Sequence, residues 1–229
     1  MRTKVERPAA VIFDMDGVLV DSNPYHLRKW ADFLDRHGVP YNPDDLPGRV
    51  LGPRSDTSIR FFLGPRLSDS EVLRLNEELE EGFRRAFRPH AKPLPGVAAL
   101  IAELHSAGVP MAVASSAMAK NVEFIVDVLG IRPYFRCLVT GDEVTHSKPH
   151  PEIYLKTAER LGIDPAGCVT FEDSFVGVES AKGAGMKCVA IASTFPLEEL
   201  RERTRADLIV RSFEVLTLDT LRQLLEGNR

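Results

Sequence analysis

A chain of 229 residues, 44% of them hydrophobic, is long enough for one large domain or for a core with a smaller second module. Its 33 acidic residues against 29 lysines and arginines give a formal net charge of −4, which leaves no broad basic surface for tracking nucleic-acid phosphates. No stretch reaches the roughly 20 apolar residues that span a bilayer, so neither a nucleic acid nor a membrane is expected as a partner, and no obligate protein partner is evident.

The N-terminal residues carry positive charge, but the apolar run Ala9 to Phe13 stops at Asp14 and Asp16, too early for the core of a secretion signal. The cytoplasm is the expected compartment. The run itself is short and apolar throughout, the pattern of a strand buried on both faces. From Asp21 to about Lys92 no strand pattern occurs. Leu27, Trp30 and Leu34 share a helical face after Asn23-Pro24 that runs out near Gly38, and Val72, Leu75, Leu79, Phe83 and Phe87 trace a second. Asn23 with Pro24 is predicted as an N-cap followed by proline in the first turn, and Ser68 with Glu71 as a capping box. This stretch reads as an inserted helical module, hinged at the Val20 to Pro24 turn and at the proline-rich Arg88 to Gly96 segment.

Beyond Gly96, strands and helices alternate. Met111 to Ala114, Cys137 to Val139, Cys168 to Phe171, Cys188 to Ile191 and Leu208 to Val210 are predicted strands. Helical patterns through Leu104, Leu129 and Leu161 end at Gly108, Gly130 and Gly162, residues suited to a helix C-terminus. Cys137, Cys168 and Cys188 lie in or beside strand runs without a CxxC pair and read as reduced core residues. The alternation predicts an α/β fold, a doubly wound, mostly parallel, Rossmann-like sheet formed by residues 1–20 and 93–229, with 21–92 as a helical cap. Its ligand site should lie beyond the carboxyl ends of the strands.

Those strand ends carry the chemistry. VIFDMDGVLVDS closes the first strand with Asp14 and Asp16 and then Gly17. Asp-x-Asp-Gly also opens calcium loops, but Val18 and Leu19 stand where an EF-hand needs an oxygen ligand and a glycine. VASSA places Ser115 and Ser116 after the second core strand, SKPHPE supplies Lys148 before a helix, and VTFEDSFVGVESAKGAG ends another strand with Glu172 and Asp173. Singly, each has an ordinary explanation: a turn serine, a solvated lysine, a helix-capping acidic pair. Gly177, Gly183 and Gly185 allow close approach of helix to sheet. Together the four carboxylates make an oxygen-rich set suited to Mg²⁺, and Lys148 with the Ser115 hydroxyl adds a charge and a donor for phosphate. These are the parts that phosphoryl transfer requires.

In this order and at these strand ends, the four motifs resemble the haloacid dehalogenase-like superfamily of phosphotransferases. The helical insert after the first motif resembles its β-phosphoglucomutase-like branch, and the resemblance covers nearly the whole chain. It implies that Asp14 is a nucleophile forming a covalent aspartyl phosphate and that Asp16 is the general acid and base. It implies Mg²⁺ held by Asp14, the backbone carbonyl of Asp16 and Asp173, with Glu172 binding directly or through water. Ser115, Ser116 and Lys148 would hold phosphate, and the cap residues His26, Trp30, Gly52 and Arg54 would face the substrate. Trp30, at core spacing with Leu27 and Leu34, is equally expected to serve packing. The acid at Asp16 favours phosphate over carbon–halogen chemistry, because the dehalogenases lack it. In GPRSDT, Arg54 is shifted one place from the mutase arginine, and the cap lysine of the mutases has no secure counterpart, Leu75 or Arg74 falling nearest. The leading expectation is a Mg²⁺-dependent phosphatase acting on a small phosphorylated metabolite, a sugar phosphate. A β-phosphoglucomutase-type mutase, an inorganic pyrophosphatase and a non-catalytic phosphate-ligand binder stay open.

Overall fold

Buried backbone must pair its N–H and C=O groups, and short apolar runs do so by joining a parallel sheet. The computed structural model describes residues 8–51 and 53–226. It contains β1 (Ala10–Phe13), β2 (Met111–Ala114), β3 (Cys137–Val139), β4 (Cys168–Glu172), β5 (Lys187–Ile191) and β6 (Leu208–Val210). The sheet is parallel throughout, in the order β3-β2-β1-β4-β5-β6. Strand order therefore reverses beside β1, where such sheets bind ligands. Phe13 lies opposite both Val113 and Phe171, which brings Asp14, Ser115 and Glu172 to one edge. β4 runs one residue past the predicted end because Glu172 still pairs with Ala190, and β5 starts one residue early at Lys187, which pairs with Val169.

Between β1 and β2 lie α1 (Asn23–Arg36), α2 (Leu46–Val50), α3 (Ser55–Leu63) and α4 (Asp69–Phe87). Trp30, Phe33, Leu34, Ile59, Leu75 and Leu79 belong to a core of their own within these helices. The apolar stripe of α4 divides: Val72, Leu75 and Leu79 join that core, whereas Phe83 and Phe87 join the cluster under the sheet. A buried large apolar side chain is worth about 1.5–3 kcal/mol, so these two phenylalanines fasten the C-terminal half of α4 to the sheet domain. Ser68 and Glu71 form the predicted capping box. The N-cap assignment of Asn23 needs correction: α1 starts at Asn23 itself, Ser22 precedes it without a side-chain cap, and the Asn23 amide is bound elsewhere. The chain leaves and re-enters the sheet domain side by side, through bridges of Val20 with Asp16 and with Pro93.

The remaining helices are α5 (Val97–Ser106), α6 (Ala119–Val128), α7 (Glu152–Leu161), α8 (Phe175–Gly183), α9 (Leu197–Arg203) and α10 (Leu218–Glu226). Alternate residues of a strand point to opposite faces. Val11 and Phe13 accordingly pack with α5, α6 and α10, while Ala10 and Ile12 pack with α7, α8 and α9. Gly108, Gly130 and Gly162 end their helices at φ of 67°, 68° and 68°, in the left-handed region glycine tolerates. The three cysteines are free and buried. Among the described residues no helix is long and apolar enough to cross a membrane.

Candidate active site

Just past a parallel strand the side chain is released into the crevice while the backbone remains anchored. Asp14 shows this: its N–H still donates to the Phe171 carbonyl at 3.0 Å, and its carboxylate leaves the sheet. Lys148, on the loop before α7, places Nζ 2.7 Å from Asp14 Oδ1 and 2.6 Å from Glu172 Oε1. That ammonium also reaches the Ala114 carbonyl at 3.3 Å and the Tyr154 hydroxyl at 3.4 Å. Burial opposes its charge, but Asp14 and Glu172 outweigh that and hold Lys148 protonated well above the usual lysine range. Glu172 Oε1 also accepts the Tyr154 hydroxyl at 2.5 Å, and Oε2 accepts the Asp173 N–H at 3.2 Å and the Ser174 hydroxyl at 3.3 Å. Both oxygens of Glu172 are thus engaged inside the protein.

Asp14, Glu172 and Asp173 each bring a carboxylate oxygen within 4.8 Å of the others. Three acids face one lysine. Burial raises the Asp14 carboxyl well above its ordinary range; Lys148 pulls it back, and the charges of Glu172 and Asp173 push it further up. Burial and the charge of Glu172 push Asp173 up to about 7. Asp173 Oδ2 is held by Asn23 Nδ2 at 3.0 Å and by the Thr194 hydroxyl. Two glycines give these carboxylates room: a Cβ on Gly17, whose φ is +73°, would lie 2.0 Å from Asp173 Oδ2, and one on Gly177 would lie 1.9 Å from Glu172 Oε2.

Asp16 is set apart from this cluster. Its Oδ1 accepts the Ser22 hydroxyl and meets His26 Nε2 at 3.2 Å. The His26 ring stacks on Phe83 with centroids 3.8 Å apart. Burial would raise the Asp16 carboxyl, but the His26 charge and the bonds from His26 and Ser22 bring it below its usual value. His26 is raised in return, the pull of Asp16 overcoming burial.

The inserted helices cover this edge and leave a cleft with about 60 Å³ of free volume. At 10–15 Å³ for a water on this scale, that is room for roughly four waters. Cap-to-core hydrogen bonds join Arg54 Nη1 to the Val144 carbonyl at 3.1 Å, Asn121 Nδ2 to Glu80 Oε2 at 2.6 Å and Arg84 Nη1 to Asn121 Oδ1 at 2.7 Å.

Asp14, Asp16, His26, Trp30, Ser115, Ser116, Lys148 and Asp173 all line the cleft. Ser115, 2% exposed, also turns its hydroxyl to the Ala117 N–H at 3.1 Å. Trp30 packs edge-on against Phe33 and also borders the cleft. Arg54 lies in an adjoining hollow, paired with Asp56 at 2.7 Å. Gly52 falls outside the described residues. Leu75 is buried in the cap core and Arg74 pairs with Glu78 on the surface; the α4 residue that reaches the cleft is Glu80. Sequence reasoning missed Glu80, Asn121, Ser55, Tyr154 and Thr194. Two had a signal: Glu80 borders the apolar stripe of α4 next to Leu79, and Thr194 follows the end of β5.

Residues 11–191 match the haloacid dehalogenase-like hydrolase family. The chain is 33% identical over 188 residues to a fructose-1-phosphate phosphatase of Escherichia coli, covering 81% of this chain and 97% of that protein. It is 30% identical over 229 residues to the β-phosphoglucomutase of Bacillus subtilis, covering 96% of each. The crystal structure of a β-phosphoglucomutase from Clostridium difficile superposes with a TM-score of 0.85 at 24% identity, covering 96% of this chain and 98% of that one.

Proposed function

Because the chain belongs to the haloacid dehalogenase-like hydrolase family, we propose that it is a phosphoric monoester hydrolase that removes phosphate from a small phosphorylated metabolite, a sugar or polyol phosphate. The observation that carries this reading is the buried Asp14 carboxylate held by Lys148 under a cap, with Asp16 beside it. A carboxylate needs no prior deprotonation to attack phosphorus. The Asp14 oxygen not bound by Lys148 forms the new O–P bond as the bond to the leaving oxygen breaks, and Asp16 supplies the proton that oxygen requires. Asp16 then takes a proton from the water that cleaves the aspartyl phosphate and restores Asp14. His26 and Ser22 favour the ionised Asp16 carboxyl, the form needed for that second step, so for the first step Asp16 must take up a proton from solvent as substrate binds. Lys148, and the Ser115 hydroxyl when it turns from Ala117, would stabilise charge on the phosphate oxygens.

The donor set fits Mg²⁺. Three buried acids against one ammonium leave negative charge uncompensated, and burial together with that charge raises the carboxyls of Asp14 and Asp173. Asp14, Asp173 and the Asp16 carbonyl would hold the ion, with Glu172 behind them keeping Lys148 in place. When bound, Mg²⁺ would neutralise charge on the phosphate as it transfers.

A second reading, phosphosugar mutase, is supported by the likeness to the Bacillus subtilis mutase over 96% of each chain. Phosphate release with Mg²⁺ across sugar phosphates, other phosphomonoesters and pyrophosphate, with Asp14→Asn as control, decides between them. Asp14-dependent release from one class is the expected result. Little release throughout, with glucose 1-phosphate isomerised when a bisphosphate primer is present, would replace the phosphatase reading with the mutase.

A further inference from the structure

The side of the cleft formed by the inserted helices is built differently from the sheet side that holds Lys148. Glu80 projects into it from α4, 4% exposed, with Oε1 accepting the Ser55 hydroxyl at 2.5 Å and Oε2 accepting Asn121 Nδ2 at 2.6 Å. Trp30, Val50, Leu51 and Pro53 give an apolar wall beside it. No lysine or arginine among the described residues lines the cleft apart from Lys148. The adjoining hollow has Arg54, but its guanidinium is spent on Asp56 and the Val144 carbonyl, and Asp56, Glu80 and Asp142 border the same space. A second phosphate placed here would meet the Glu80 carboxylate, whereas His26 and Arg54 are already paired with Asp16 and Asp56.

A carboxylate accepts about four hydrogen bonds, and Glu80 uses two. One of the two comes from Asn121 on the sheet domain, the other from Ser55 on the inserted helices, so a movement of those helices away from the sheet domain would detach Asn121 and free acceptor capacity on Glu80. Resting on the phosphatase reading above, we infer that Glu80 is a specificity-determining residue that selects a monophosphate whose far end bears hydroxyl or ammonium donors and rejects one whose far end bears a second phosphate. Ser55 and Asn121 complete that subsite, each able to trade its bond to Glu80 for one to a substrate hydroxyl.

The test compares fructose 1-phosphate with fructose 1,6-bisphosphate, which differ only at the far end, and glucose 6-phosphate with glucosamine 6-phosphate, using wild type, Glu80→Gln and the Asp14→Asn control. Like charges across an interface discriminate strongly, so wild-type kcat/KM should favour the monophosphate over the bisphosphate by about tenfold or more. Glu80→Gln keeps size and an acceptor oxygen; it should shrink that preference severalfold, mainly through a lower KM for the bisphosphate, and should weaken any preference for the amino sugar. An equal or reversed preference in wild type, or an unchanged ratio in folded Glu80→Gln, overturns the assignment. If the variant does not fold, inhibition of wild-type p-nitrophenyl phosphate hydrolysis gives the answer: the bisphosphate must inhibit more weakly than the monophosphate, and stronger inhibition refutes the role of Glu80. Absence of Asp14-dependent release from every compound, p-nitrophenyl phosphate included, would instead bring down the phosphatase reading itself.

Discussion

Replacing Lys148 with methionine would strand two buried carboxylates. The ammonium is 3% exposed and lies 2.7 Å from Asp14 and 2.6 Å from Glu172, whose side chains are 11% and 1% exposed. Breaking a buried pair by removing one partner costs about 3–5 kcal/mol, since the remaining charge has no compensation. At roughly 2–4 °C per kcal/mol for a chain of this size, Tm should fall by about 6–20 °C. The deficit has a sign in pH. Stranded carboxylates favour protonation, so the folded variant binds more protons than its unfolded chain and loses stability as pH rises. Thermal unfolding of wild type and Lys148→Met in EDTA should therefore show a larger gap at pH 8 than at pH 5. Adding Glu172→Gln removes one stranded charge and should return about 1–3 kcal/mol. A Tm change within about 2 °C at pH 8, a wider gap at pH 5, or a double variant weaker than the single would refute the picture of Lys148 as the counter-charge of this cluster.

Gly177→Ala should act on the same cluster from behind, because its Cβ would lie 1.9 Å from Glu172 Oε2. Displacing that carboxylate should cost about 1–3 kcal/mol in chemical denaturation and lower kcat. Gly183→Ala, where the nearest atom is Pro151 Cβ at 3.5 Å, serves as the tolerated comparison, and equal behaviour of the two would contradict the steric argument. Metal should interact with pH. With the Asp173 carboxyl pushed up from 3.8 to about 7, the metal-free folded state binds more protons than the unfolded chain between those values and loses stability as pH rises through them. Mg²⁺ competes with that proton, so the Tm increase on adding Mg²⁺ should be greater at pH 8 than at pH 6, and the opposite order would contradict the ligand assignment.

Much of this architecture was legible because buried parallel strands are apolar along their whole length. The runs ending at Phe13, Ala114 and Val139 needed no alternation to be recognised, and the carboxylates after them marked the crevice. β4 was read one residue short because Glu172 is charged, yet it sits in the ladder with its charge absorbed by Lys148. Asn23 was misread because asparagine before proline is a good local helix start; its amide is drawn instead to Asp173, far along the chain. α2 and α3 were not delimited, being short and interrupted by Pro47 and Gly48 or bearing only a weak apolar face. Tyr154 carries no local signal on α7, and only the fold places its hydroxyl against Glu172. Glu80 and Asn121 meet across the cap boundary, and pairings between distant segments leave no local pattern.

In the proposed mechanism Asp14 carries the phosphoryl group. Rapid-quench mixing of the enzyme and Mg²⁺ with a ³²P-labelled sugar phosphate that it turns over tests this most directly. Label that is bound to wild-type protein, released by hydroxylamine as an acyl phosphate must be, and absent from Asp14→Asn together with turnover is the predicted result. An Asp14→Asn protein that still releases phosphate at the wild-type rate would contradict the covalent mechanism and leave Asp14 a bystander in its own cleft.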